Sequence, residues 1–217
     1  MVVYSPNMLK TFAECQKKYE YRYVKKISLP VMSQRFEKGK KIHALANYYL
    51  RGDNIEKFLS ALSEEEFSLW QRLLNNEFFQ KQYVNSEYNL SAKLGDFWVG
   101  GRLDAFMKSD KDFFILDYKT GNIPKNPQED FQTMIYLLCA DRILEKGWGD
   151  NYSLTFVYID LKNDKNHTIE FSKTLGKSYE EKLITSCTIL RNTKTFDKNT
   201  SACEFCEYKK LCFSPEF

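Results

Sequence analysis

Glycine and proline are scarce in this 217-residue sequence, nine and five, which excludes collagen-like, linker-rich and low-complexity chains. Long apolar runs are missing as well. The longest stretch without a charge is the ten residues Phe131 to Ala140, about half of the ~20 needed to span a bilayer. The opening MVVYSPNMLK lacks the basic start and apolar core of a secretory signal. No repeat is visible, and no GxxxxGK[ST] loop is present to serve a helicase motor. These absences lead us to expect a soluble, cytoplasmic chain with no membrane contact, folded as one large α/β domain over residues 1–217.

Aromatic residues are plentiful, with 3 Trp, 14 Tyr and 17 Phe. The net charge of +3 hides an asymmetry: residues 1–50 carry ten Lys or Arg against three Asp or Glu, an excess of +7, and the rest carries −4. A basic entrance before an acidic body suits a polyanion approaching a metal-holding carboxylate site, with Lys17, Lys18, Lys25 and Lys26 as candidate contacts. On charge alone, a solvated helix face accounts for the same residues.

Ser5-Pro6 marks a helix start, and apolar spacing carries that helix to about Val24. A second helix is expected from about Gln34 to Arg51, ended by Gly52. Ser63-Glu64-Glu65-Glu66 forms a capping box opening a helix to about Gln80, inside a helical insertion over 52–82. Residues 84–92, 97–108 and 112–119 read as a three-strand meander. A helix over 128–145, stopped before Gly147, then leads to strands at 154–161 and 167–171 and a last helix at about 177–191. The order reduces to an α-βββ-αβ core.

Asp117-Tyr118-Lys119 ends the third strand, so Asp117 and Lys119 share one face and Tyr118 takes the other. Alone, this is an exposed ion pair worth at most ~1 kcal/mol. Asp104, in Gly101-Arg102-Leu103-Asp104, changes that reading, because antiparallel pairing brings it near Asp117. Two adjacent carboxylates repel unless a proton or cation joins them, and a hard divalent ion is the natural solution. His43 fits either a packing role or a place over this site, and Glu87 fits either an edge-strand surface or the site.

Six cysteines in a chain expected to be intracellular argue for metal rather than disulfides. Cys203, Cys206 and Cys212 cluster within ten residues and need a fourth thiolate, for which Cys15 is the best candidate. Cys139 and Cys187 read as small core residues. The spacing suits zinc as well as iron–sulfur.

The order His43, Gly101-Arg102-Leu103-Asp104, Asp117-Tyr118-Lys119 and Gln132-Thr133-Met134-Ile135-Tyr136 resembles the RecB-like branch of the PD-(D/E)xK nucleases. The opening Ser5-Pro6-Asn7-Met8-Leu9 with Phe12, Cys15, Tyr19 and Tyr23 resembles that branch's first helix. Leu103 stands where the motif has its nominal Pro, and Gln16 where a Pro is common.

The resemblance implies a restriction-endonuclease-like fold with a mixed central sheet, added N-terminal helices and a C-terminal cysteine cluster. It further implies metal-dependent DNA hydrolysis. His43, Asp104, Asp117 and the Tyr118 carbonyl would hold Mg²⁺ or Mn²⁺, and a neutral imidazole fits Mn²⁺ somewhat better. Lys119 would orient water or stabilise phosphoryl charge, while Gln132 and Tyr136 would contact substrate or Lys119. Cys15, Cys203, Cys206 and Cys212 would hold a 4Fe–4S cluster stapling the chain ends, as in AddB-type nuclease domains and CRISPR-associated RecB-like exonucleases. The implied activity is exonucleolytic trimming of single-stranded DNA ends in CRISPR spacer acquisition, an antiviral defence, or in repair. CRISPR integrase proteins or a helicase would be partners. The rival is a noncatalytic iron–sulfur DNA-binding or assembly module on the same fold.

Overall fold

The computed structural model describes residues 2–29 and 34–214, the side chains of 34–38 excepted. A two-residue strand, β1 (Val3–Tyr4), comes first and was not expected from the sequence. Helix α1 (Pro6–Glu14) follows, with the Ser5 hydroxyl accepting from Met8 N–H and Pro6 in the first turn. The helix expected to reach Val24 breaks at Cys15, which is extended (φ −161°, ψ 114°). The chain resumes as α2 (Gln16–Tyr19) and a π-helical turn over Glu20–Val24. The C-terminal segment occupies the break: Asn199 Nδ2 donates to Glu14 O at 2.8 Å, and Lys17 N–H donates to Asp197 O at 3.0 Å. The cysteine pattern points to a meeting of Cys15 with the C-terminal segment, but not to the helix break it brings.

Helix α3 (Gln34–Leu50) ends before Gly52, whose φ of +77° suits glycine. A short α4 (Glu56–Leu59) precedes α5 (Glu64–Leu74), and the Ser63–Glu66 capping box is formed in both directions. Helix α5 stops short of the expected Gln80, because the Asn76 side chain takes the Phe78 N–H and competes with helical bonding.

Strands β2 (Gln82–Leu94), β3 (Phe97–Ser109) and β4 (Asp112–Lys119) make the meander, turning at Gly95 (φ +54°) and Asp110 (φ +52°). After a 3₁₀ turn (Pro127–Glu129), α6 (Phe131–Trp148) runs through Gly147 rather than stopping before it, and Gly149 (φ +60°) ends it. Strands β5 (Ser153–Asp160) and β6 (Lys165–Glu170), the long α7 (Lys173–Asn192) and the short α8 (Lys209–Phe213) complete the chain. Ser172 caps α7 four residues earlier than the expected start.

The sheet runs β1-β3-β4-β5-β6, with β2 also pairing to β3. It is mixed: β4 and β5 are parallel, joined through α6, and the β2/β3, β3/β4 and β5/β6 pairs are antiparallel. Alternation sorts the two faces. Phe113, Ile115, Phe156 and Tyr158 pack beneath α1, α6 and α7. Leu116, Tyr118, Val157 and Ile159 pack against α3 and α5 with Trp70 and Phe79. Burial on both faces explains the near-continuous apolar runs of β4 and β5, each fully buried Leu or Phe contributing ~1.5–3 kcal/mol. The expected α-βββ-αβ core with a mixed sheet is the fold observed.

One irregularity positions the site. The β3/β4 ladder ends at Ala105 opposite Leu116, and beyond it Asp117 to Lys119 pair only with Tyr158 to Asp160 of β5. The strands therefore part at Asp104 and Asp117.

Candidate active site

Where β3 and β4 separate, a side chain replaces the lost ladder bond: Tyr118 N–H donates to Asp104 Oδ2 at 3.0 Å. This fixes the Asp104 carboxylate against the Asp117–Lys119 strand end. Its other oxygen lies 3.1 Å from His43 Nδ1, and His43 Nε2 lies 2.9 Å from the Tyr118 carbonyl. Helix α3 thus leans His43 over the strand ends, and the imidazole edge meets the Tyr118 ring. Burial alone would lower the His43 pKa, but Asp104, Asp117 and the Tyr118 carbonyl together hold it up at about 9. The Tyr118 carbonyl, expected as a further metal ligand, accepts from His43 Nε2 and so orients the ring, with a second lone pair to spare.

Asp117 lies on the α6 side. Its Oδ1 accepts a short bond from Gln132 Nε2, and Lys119 Nζ stands 2.8 Å from Oδ2. The Lys119 ammonium is thus the cation that the buried Oδ2 faces. Burial pushes the Asp117 carboxyl up to about 6 and Asp104 adds to the rise, against the opposing pull of Lys119. Lys119 is in turn raised: desolvation opposes its charge, and Asp117 outweighs that cost. Its ammonium also donates to Gln132 Oε1 at 3.3 Å and sits 5.7 Å from the Tyr158 ring centre. Gln132, placed by the Asp130 cap, therefore bridges the two charged groups of β4.

Tyr136 stands behind the site, where burial and then the charges of Asp104 and Asp117 push its pKa up. It is buried, and its hydroxyl donates to Arg102 O at 2.7 Å. That bond ties down the β3 backbone two residues before Asp104.

Glu87 was left open by the sequence, and the structure brings it in. It stands between the Ser86–Ala105 and Tyr88–Leu103 pairs, opposite Asp104. A β-bulge between Tyr83 and Asn85 precedes it, and its own φ is +48°. Ligand atoms of His43, Glu87 and Asp104 lie within 4.8 Å of one another, the one such group among the described residues. Arg102 Nε balances Glu87 at 2.7 Å. One nitrogen and several carboxylate oxygens form a donor set suited to Mg²⁺ or Mn²⁺. All of this opens on a cleft of about 870 Å³ lined by Lys40, His43, Asn47, Arg102 and Lys119 among others.

The cysteines meet at the other end of α1. Cys15, Cys203, Cys206 and Cys212 line one small cavity of about 10 Å³. Their thiols are not drawn to the spacing of three ligands on one ion. Asn199 N–H donates to Cys15 Sγ at 3.4 Å, and Tyr208 OH donates to Ile27 O at 2.8 Å, so the tail docks through ordinary contacts as well. Cys139 and Cys187 are buried in the core as expected. The basic N-terminal segment is laced with ion pairs. Lys17 and Lys25 pair with Glu20, Lys18 with Glu14 and Glu207, and Arg22 with Glu207.

No curated protein matches the sequence. Among solved structures, a candidate exonuclease from Eubacterium rectale superposes with a TM-score of 0.60 at 11% identity, covering 96% of this chain and 87% of that chain. At that identity the likeness speaks for the fold alone. The SSO0001 protein, at TM-score 0.42 and 15% identity over 95% of this chain and 84% of its own, is too loose to argue from. No helix among the described residues is long and apolar enough to cross a membrane. The family model of the PD-(D/E)XK nuclease superfamily matches residues 3–213. With that match over nearly its whole length, the chain belongs to the PD-(D/E)XK nuclease superfamily, hydrolases that use divalent metal ions.

Proposed function

We propose that this nuclease is a deoxyribonuclease of the RecB-like branch, a single domain over residues 1–217, which trims single-stranded DNA ends in the cytoplasm. The observation that carries the reading is the meeting of His43, Asp104, Asp117, Lys119 and Gln132 where β3 and β4 part. His43, Glu87 and Asp104, whose ligand atoms meet, would hold Mn²⁺ or Mg²⁺ together with Asp117. The bound ion supplies a lowered pKa for water and a counter-charge for the phosphate. Lys119, its ammonium kept protonated by Asp117, faces charge developing on the phosphoryl oxygens. Gln132 holds Lys119 and Asp117 at a fixed separation, and Tyr136 keeps Asp104 in register through Arg102.

Cys15, Cys203, Cys206 and Cys212 would hold a 4Fe–4S cluster. Supporting this, all four cysteines line one small cavity where the two ends of the chain meet. The biological setting we favour is CRISPR spacer acquisition beside integrase proteins, or end repair beside a helicase. Loss of an acidic or Lys position would have signalled the competing reading, a noncatalytic module, and His43, Asp104, Asp117 and Lys119 are all present.

The test is incubation of anaerobically purified protein with end-labelled single- and double-stranded DNA, with Mn²⁺ or with chelator. Metal-dependent shortening of single strands is expected, with iron and sulfide present in equal amounts. No cleavage by a metal-loaded protein would overturn the enzyme reading. Stoichiometric zinc without sulfide would overturn the cluster.

A further inference from the structure

The cleft extends well beyond the metal-holding residues, and its far wall is the continuation of α3. One helical turn past His43 the helix presents Asn47 and Tyr48 to the same cleft. Both are half-buried.

Each is held in place from behind. The Tyr48 ring lies against Phe58 of α4, with centroids 4.8 Å apart and planes 22° from parallel. Phe58 comes from the insertion over 52–82. Asn47 Oδ1 accepts from Ser86 Oγ at 2.7 Å, and the Tyr83 hydroxyl is 3.2 Å from that Ser86 oxygen. With its carbonyl engaged, the Asn47 amide has its N–H donors left for the cleft. Tyr118 also lines the cleft, and its buried hydroxyl has no hydrogen-bond partner among the described residues.

A backed aromatic ring and an oriented amide, one turn from a metal-holding His, match the two recognition modes open to a nucleobase: stacking on its face and hydrogen bonding to its edge. A base within a duplex offers neither its face nor its pairing edge. We infer that Tyr48, supported by Phe58, is a stacking platform for one unpaired nucleobase next to the scissile phosphate, with Asn47 bonding to that base's edge. This rests on the DNA-nuclease reading and deepens it, because it gives a strand preference a physical source in the insertion.

The experiment measures binding of a 12-nucleotide fluorescent single strand in Ca²⁺, with one abasic site moved along it, to wild type, Tyr48→Ala and Tyr48→Trp. Tyr48→Ala should weaken binding of the intact strand roughly tenfold, the scale of one base–aromatic stack. At one abasic position wild type should lose the same factor while Tyr48→Ala loses nothing further. Tyr48→Trp should restore binding, and Phe58→Ala should reproduce part of the loss. Blunt duplex should be affected far less than single strand. Equal losses by wild type and Tyr48→Ala at every abasic position would overturn the platform, as would equal weakening on duplex or failure of wild type to bind the strand. Cleavage by wild type in Mn²⁺ is followed in parallel. If the strand is cut and no position couples to Tyr48, only the platform falls; if nothing is cut, the nuclease reading falls whatever the binding shows.

Discussion

At the residue scale, the site is a set of charges held closer than water would permit. Asp117 is almost fully buried, beside Lys119 and near Asp104, and its carboxyl is pushed up to about 6. Asp117→Asn keeps the shape and removes the charge. Cleavage should fall on the order of 10³-fold, the scale of losing a key electrostatic group in a closed site. The metal-free variant should melt below wild type, because the buried Lys119 ammonium loses the carboxylate that outweighs its desolvation. Melting by fluorimetry and a cleavage time course check both halves, and an active Asp117→Asn protein would remove Asp117 from the mechanism. His43 gives a second prediction. Its pKa of about 9 means the metal-free imidazole is charged at neutral pH, and coordination requires the neutral form. Binding therefore releases a proton, and Mn²⁺ affinity should rise about tenfold per pH unit between pH 7 and 8.5, levelling off above 9. Calorimetry in two buffers of different ionisation enthalpy measures that proton. Affinity independent of pH would show that His43 is not a ligand. Asp104, Asp117 and Lys119 were legible in the sequence because strand alternation and meander pairing constrain them. Glu87 was not, since its placement depends on a bulge and a positive φ that residue type does not signal.

At the element scale, β3 is where packing and chemistry meet. Gly100 and Gly101 precede the Arg102-Leu103-Asp104 run and admit close neighbours. A Cβ at Gly100 would lie 2.4 Å from the Leu90 carbonyl oxygen, a backbone atom of the paired β2 strand. At Gly101 it would lie 2.9 Å from the Tyr136 ring, which is itself buried and tied to Arg102 O. Each substitution by Ala is an overpacking change, typically costing ~1–3 kcal/mol, and Gly100→Ala should cost more because a ladder strand must shift. Gly101→Ala should instead show the larger loss of cleavage relative to its loss of stability, because it disturbs the tyrosine that holds Asp104 in register. Urea unfolding and cleavage assays on the two variants separate these effects; equal ratios would deny Tyr136 its positioning role. The elements themselves were readable to the extent that local rules govern them: the Ser63 capping box, the Gly95 and Asp110 turns and the Ser5-Pro6 helix start all hold. The failures have tertiary causes. The helix break at Cys15 is completed by Asp197 and Asn199, and β1 exists only by pairing with Trp98 and Val99 of β3.

At the scale of the whole molecule, the two ends of the chain are joined, and that changes the meaning of the N-terminal charge. The +7 excess over residues 1–50 suggested a polyanion track, yet Lys17, Lys18, Arg22 and Lys25 face Glu14, Glu20 and Glu207. Glu207 lies between Cys206 and Tyr208, so two of these cations, Lys18 and Arg22, anchor the cysteine-bearing tail. Individually such pairs are worth ~0–1 kcal/mol, but Lys18 is only 15% exposed and serves both Glu14 and Glu207. Lys40, by contrast, lines the active-site cleft. Charge reversal at the two positions should therefore separate docking from substrate binding. Lys18→Glu sets a third carboxylate against Glu14 and Glu207, so limited proteolysis should cut the tail after about residue 192 far faster than in wild type. The salt dependence of its DNA affinity should be unaltered, because counterion release counts only cations that meet phosphate. Lys40→Glu should leave the tail resistant to protease while lowering affinity for every DNA sequence and reducing the log–log salt slope by roughly one. A Lys18→Glu protein with an intact tail and a reduced salt slope would return the N-terminal lysines to the DNA path and move the substrate track to the α1–α2 face.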